Sequence, residues 1–145
     1  MQIKDLPIPV QRYLKYSLRE NQSYISYVRL QHGGEFRASK SWVSIKGEEY
    51  FTVQKPGFVW SGKVPLFSAK DIYFNEEGQI TQFKTKRYKD KTLENFTGYC
   101  DHYRSVDGIK VPFYLEATWN LESGDWSYAK FKIKKIEYNN PSKFE

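Results

Sequence analysis

Cys100-Asp101-His102 is the one run in the chain where a nucleophile, an acid and a base stand side by side. A thiolate activated by an imidazole would make a nucleophilic dyad. On a strand, Cys100 and His102 share a face, but their side chains start about 7 Å apart and stand parallel, while Asp101 points away. The expectation is therefore a buried, inert thiol beside a hydrogen-bonded histidine. His32 and His102 with Cys100 supply too few nitrogen and sulfur ligands for a closed zinc site, and no local spacing supports one. Neither GxGxxG nor GxxxxGK[ST] occurs in "QHGGEF" or "VDGIKV", so no nucleotide loop is readable. Glu48-Glu49 and Glu76-Glu77 sit next to turn signals and read as solvated loop residues, which leaves a paired-carboxylate hydrolase without its pair. No cofactor and no metal follow from these patterns, and an enzyme ranks last among the function classes.

Basic residues offer a different chemistry. Lys84 and Lys86 share one strand face, Arg87, Lys89 and Lys91 follow them, and Lys130, Lys132 and Lys134 share another face. If those strands were neighbours, a positive stripe beside Tyr88 and Tyr128 would resemble a single-strand nucleic-acid binder. Outward lysines also keep sheets soluble and blunt their edges, and that reading ranks first. The 23 Lys and Arg against 17 Asp and Glu, a formal +6, favour weak attraction to anionic partners without choosing one. Arg37 is the candidate for a buried polar anchor that holds a carboxylate or phosphate, its alternative being a structural ion pair.

These residues have to be held by something, and aromatics are the dominant building material: 12 Tyr, 10 Phe and 4 Trp, 18% of the 145 residues. Such a chain makes one domain, residues 1–145, with a core of few, large side chains. Pro9 to Asn21 reads as an amphipathic helix, with Val10, Tyr13, Leu14, Ser17 and Leu18 on one face. From Ser23 the period becomes two. "SYISYVRLQH" is followed by "GGEFRASK", which continues or turns at Gly33-Gly34, and then by "SWVSIKG" and "EEYFTVQ". Pro56-Gly57, "NEEG" at 75–78, Val106-Asp107-Gly108 and "ESGD" at 122–125 mark turns. The expected fold is mainly β (α+β): the N-terminal helix and about seven or eight strands between residues 23 and 139 in a curved antiparallel meander or half-barrel, with a loose tail at 140–145. A curled meander needs cover on its concave side, and the helix is the only cover this chain supplies.

Five blocks, "LPIPVQRYLKYSL" at 6–18, "VRLQHGGEFR" at 28–37, "PGFVWSGKV" at 56–64, "YFNEEGQITQFKTKRY" at 73–88 and "YRSVDGIKVPFYLEATWNL" at 103–121, occur in the order of an uncharacterised bacterial family. The chain resembles that family, with its LPxPVxRYL, QxGxFR, PGFVWxA and DGxxVP pattern. It looks like a shortened member, because Asp71-Ile72-Tyr73 runs straight into "FNEEGQIT" where longer members carry a middle section. The resemblance implies no activity. In architecture alone, the chain is similar to lipoprotein-carrier folds, where a curved sheet wraps a hydrophobic cavity.

Function is accordingly expected to lie in binding. Phe58 and Trp60 share a strand face and should enter the concave side with Trp42, Phe113 and Trp119, as core or as the lining of a site. The leading expectation is a non-enzymatic protein holding an apolar or amphipathic molecule such as a fatty acyl chain. A module that closes its sheet by homodimerisation comes second, and weak single-strand nucleic-acid binding third. No stretch approaches the ~20 apolar residues of a membrane span, and the opening residues lack a secretory pattern, so a cytoplasmic protein is expected.

Overall fold

The computed structural model describes residues 3–37, 40–53, 57–60 and 71–145, with the side chains of Phe58 and Trp60 outside the described set. After a 3-10 turn at Ile3–Asp5, helix α1 runs over Ile8–Ser17. Pro9 lies within its first turn, where a missing N–H costs nothing. The helix ends before the expected Asn21 because Leu18 is already extended, with its N–H closing on the Leu14 carbonyl, and Asn21 takes φ 56 in the turn beyond.

Eight strands follow: β1 Tyr27–Arg37, β2 Trp42–Thr52, β3 Gly57–Trp60, β4 Asp71–Phe74, β5 Ile80–Lys89, β6 Thr92–Val106, β7 Ile109–Leu121 and β8 Gly124–Tyr138. They form one antiparallel sheet in the order β3-β2-β1-β8-β7-β6-β5-β4. Taken as a ring, this is an up-and-down meander whose last strand returns to its first. The junction left unpaired among the described residues is β3 with β4. The mainly β fold with an N-terminal helix, expected from the sequence, is what forms. Asp107 and Gly108, at φ 49 and 80, make the primed two-residue turn that matches strand twist.

Two sequence readings of the first hairpin change. Gly33-Gly34 continues β1, and "SWVSIKG" with "EEYFTVQ" forms the single strand β2 rather than two. Glu48 and Glu49 therefore lie within a strand instead of a solvated loop, and Glu49 is half-buried. Pro112 sits where β7 pairs with β6 alone, the kind of edge position that proline tolerates.

The residues of 140–145, expected to be loose, are tied down through Arg29. Its guanidinium pairs with Glu137 at 2.5 Å, donates to the carbonyls of Ser142 at 2.7 Å and Lys143 at 2.9 Å, and lies 4.3 Å over the Phe144 ring. Phe144 N–H in turn donates to the Tyr50 hydroxyl. Arg29, itself 7% exposed, thus binds the tail to the outer face of the sheet.

Strand β8 carries two bulges, since the partners of Ala117 and Thr118 skip Tyr128 and those of Gln31 and His32 skip Lys134. Each extra residue bends the strand and resets its two-residue alternation. Trp126, Ala129, Phe131, Ile133, Ile136 and Tyr138 consequently pair with inward positions of β7 and β1 despite their mixed parity.

Candidate ligand pocket on the inner face

Register places Phe83 and Arg87 of β5, Phe96, Gly98 and Cys100 of β6, and Leu115, Ala117 and Trp119 of β7 on one face of the sheet. Leu30 and His32 of β1 and Glu49 of β2 complete that face. It encloses an apolar pocket of ≈ 220 Å³ reaching from Glu49 on β2 to Phe83 on β5. Those strands are five spacings apart, about 24 Å if flat, so one small pocket can touch both only because the sheet curls inward. Two glycines make room for its walls: a Cβ at Gly98 would run into the Phe83 ring, and one at Gly47 into His32.

Polar groups are few and bear the marks of burial. Desolvation pushes the Glu49 carboxyl above its ordinary value and the His32 imidazole below its own. His32, 5% exposed, presents its ring edge-on to Phe131 at 5.1 Å. Among the described residues no hydrogen bond or charge offsets the burial of the Glu49 carboxyl.

Helix α1 contributes no residue to the pocket. It packs instead on the far end of the meander, where Tyr13 meets Phe74 at 5.9 Å and Tyr16 meets Tyr103 at 5.7 Å. The Tyr16 hydroxyl accepts from Gln79 Nε2 at 2.6 Å. Gly78, at φ 88, lies so close to the Arg12 carbonyl that a Cβ would come within 3.0 Å of it.

At the opposite end of the strands the inner face becomes aromatic and cationic. Trp119, Tyr128 and Trp126 stack in sequence, with interplanar angles of 27° and 25°. Phe96, which also walls the pocket, meets Trp119 at 5.4 Å. Arg87 lies 4.8 Å over Phe96 and 5.6 Å over Trp119, and donates to the Tyr128 hydroxyl at 3.3 Å. Lys89 sits 5.4 Å over Trp126, and Arg37 approaches the same indole at 5.8 Å from β1.

The expected constellations are therefore only partly assembled. Arg37 is near the rim, stacked between Trp42 at 5.9 Å and Trp126, outside the pocket wall. Trp42 is capped by Lys130 at 4.9 Å and does not line the pocket. Phe113 shares the face of Trp119 but is about 20 Å away along β7, under Arg104. Phe58 and Trp60 pair with Phe51 and Glu49 through their backbones, and their side chains lie outside the described residues.

The positive stripe does not form, because β6 and β7 separate β5, with Lys84 and Lys86, from β8, with Lys130, Lys132 and Lys134. Lys130 is moreover flanked across the sheet by Glu35 and Glu116. The Cys100–His102 alternation also fails: His102 takes φ 55, and its ring packs 5.6 Å from Tyr114, the neighbour across from Asp101. Cys100 faces Leu115 instead, and burial pushes its thiol up to about 11. Among the described residues no three His, Cys, Asp or Glu side chains gather as a metal site. No helix among them is long and apolar enough to cross a membrane.

Two family models match parts of this chain, each just under half of its length. Residues 1–72 match the model of a family of unknown function (DUF6544), and residues 68–138 match that of a second family of unknown function (DUF6920). No curated protein matches the chain at a significant level. The first match runs from α1 through β3 into the start of β4 and the second covers β4 to β8, so the two overlap over residues 68–72. Pairing of β1 with β8 over Val28 to Phe36 joins both parts into one sheet, and the pocket takes residues from each.

Sequence reasoning missed Arg87, Lys89, Phe96 and Trp126 as rim residues. Arg87 was legible by parity, since it falls with Phe83 and Thr85 rather than with Lys84 and Lys86. Trp126 was not, because the bulge at Tyr128 reverses the alternation that would otherwise have put it outside.

Proposed function

We propose that the protein is a non-enzymatic binder of a small apolar or amphipathic molecule, which enters the inner pocket of the curled sheet. The observation that carries this reading is an apolar pocket of ≈ 220 Å³ lined from six strands, with the small Ala117 on its wall. Volume limits the ligand. An engineered apolar cavity of about 150 Å³ holds benzene, so this pocket suits one ring with a short chain, or a chain of about eight carbons. A full-length fatty acyl chain exceeds it. Native mass spectrometry against a panel of benzene-sized to eight-carbon probes should give a one-to-one adduct with at least one, and no adduct with Ala117→Leu. A panel that gives no stoichiometric adduct overturns the reading.

A second reading, closure of the sheet by another copy of the chain, is favoured by the apolar edges: Val59 on β3 is 68% exposed and Ile72 on β4 50%. Sedimentation that finds only monomer at high concentration removes it.

A further inference from the structure

The polar side chains of the pocket gather at one end. Between β5 and β8 its wall is made by Phe83, Phe96, Ala117, Phe131 and Ile133, and at β1 and β2 it reaches His32 and Glu49. Tyr99 and Glu116 also border it, but they oppose each other across β6 and β7 at outward positions, and the Glu116 carboxylate accepts from the Tyr114 hydroxyl at 2.7 Å.

Glu48 and Glu49, neighbours on β2, stand in opposite circumstances. Glu48 faces outward, where its carboxylate accepts from the Tyr50 hydroxyl at 2.6 Å and from Gln31 Nε2 at 3.1 Å. Those bonds hold it below the ordinary carboxylate value. Glu49 faces the pocket, opposite Leu30 and flanked along its own strand by Gly47 and Phe51, whose side chains have no donor to offer. His32, diagonally across on β1, is kept neutral at neutral pH by burial and supplies no positive charge. A carboxyl placed in this way gives up water without a protein donor in return, whereas buried polar groups normally have a partner.

The other end of the pocket makes no such demand. Arg87 lies over Phe96 there, and across the β5-β6 pair it stands opposite Glu94 on the same face. An anionic head at that end would meet the Glu94 carboxylate as well as the guanidinium. Glu49 is four strands away from Phe96, so a molecule lying along the pocket places one end at the carboxyl and the other on aromatic surface.

We infer that Glu49 is the head-group anchor of the pocket, and that the ligand is a small amphipathic amine, its ammonium head at β2 and its body of one ring or about eight carbons lying across β1 and β8 toward Phe96. This rests on the binding function proposed above, and deepens it by fixing the charge of the ligand and the end at which its head sits. The ammonium donates to the carboxylate, and each group replaces with the other the water it gives up.

Isothermal titration of the full-length protein at neutral pH with octylammonium, 1-octanol and octanoate separates this head-group site from the pocket itself. Octylammonium should bind more tightly than 1-octanol by about tenfold or more, the contribution of one charge-assisted hydrogen bond, and octanoate more weakly than either. Glu49→Gln keeps the shape of the side chain and removes its charge. It should bring octylammonium and 1-octanol to within about twofold of each other, and its uptake of 1-octanol shows that the variant is folded. Glu48→Gln, on the outer face, should preserve the preference for octylammonium. Equal affinity of the unaltered protein for octylammonium and 1-octanol overturns the amine site and leaves the pocket standing. Tightest binding of octanoate also overturns it, placing the head at the Arg87 end. A preference for octylammonium that survives Glu49→Gln overturns the role of Glu49. If neither octylammonium nor 1-octanol binds, the pocket reading fails and the amine site with it. Should Glu49→Gln fail to fold, the order of the three probes on the unaltered protein decides.

Discussion

Replacement of Ala117 by leucine tests whether the pocket is a true void. Ala117 lines it from β7, between Gly98 of β6 and Ala129 of β8. Leucine adds three carbons, which at about 0.8 kcal/mol per buried CH₂ gives at most ~2.4 kcal/mol of transfer free energy. Fixing the leucine rotamer takes back about 0.5–1 kcal/mol. The expected result is a protein more stable by roughly 1–2 kcal/mol in urea unfolding, with an unchanged denaturant slope. Small-to-large changes in a filled core behave oppositely and cost about 1–3 kcal/mol. A destabilised Ala117→Leu would therefore refute the pocket as the protein's resting state. A more stable variant that no longer takes up the probe would show a binding site kept open at the expense of packing.

Other consequences follow from the same geometry. Arg29→Met should destabilise the protein by about 1–3 kcal/mol in urea unfolding, because two tail carbonyls lose a charged donor while Glu137 keeps Lys135; a loss below the error of the measurement would show that the tail is held by other means. Cys100, raised from 9.0 to about 11, should react with iodoacetamide about a hundredfold more slowly in the native protein than in urea, since only the thiolate attacks; equal rates would contradict its burial. Glu49 binds its proton more tightly folded than unfolded, so stability should fall as pH rises from 4.5 through its raised folded value, and Glu49→Gln should flatten that slope. His32, lowered from 6.5 by burial, works the other way. Its contribution is full above 6.5 and is lost as pH falls through the depressed folded value, which thermal melts of His32→Gln against the unaltered protein would show as a smaller acid-side loss.

How much of this was legible depended on local signals. The helix start, the Asp107-Gly108 hairpin and the alternation of β7 were readable because each is set by neighbours in sequence: a proline at the first turn, a positive-φ pair, a period of two. The inner surface was legible where that period holds, as with Leu115, Ala117 and Trp119. It was lost on β8, where the bulges at Tyr128 and Lys134 reverse parity and hide Trp126 and Ile136. The paired lysines Lys134-Lys135, between the apolar Ile133 and Ile136, are the trace the second bulge leaves in the sequence. Strand order was harder still. The separation of Lys84 and Lys86 from the β8 lysines, and the convergence of Arg37 with Arg87, both depend on β1 pairing with β8, a contact across a hundred residues that no local pattern encodes. His102 was misread for a different reason: it leaves strand geometry at φ 55, which no residue type at that position announces.

The most direct test of the central claim is titration of 1-octanol into the unaltered protein and into Ala117→Leu. A neutral probe reports the pocket independently of the charged rim. The account predicts one saturable site in the unaltered protein, with a negative heat-capacity change from apolar burial, and none in the variant. Equal binding to both, or no saturable binding to either, would contradict it.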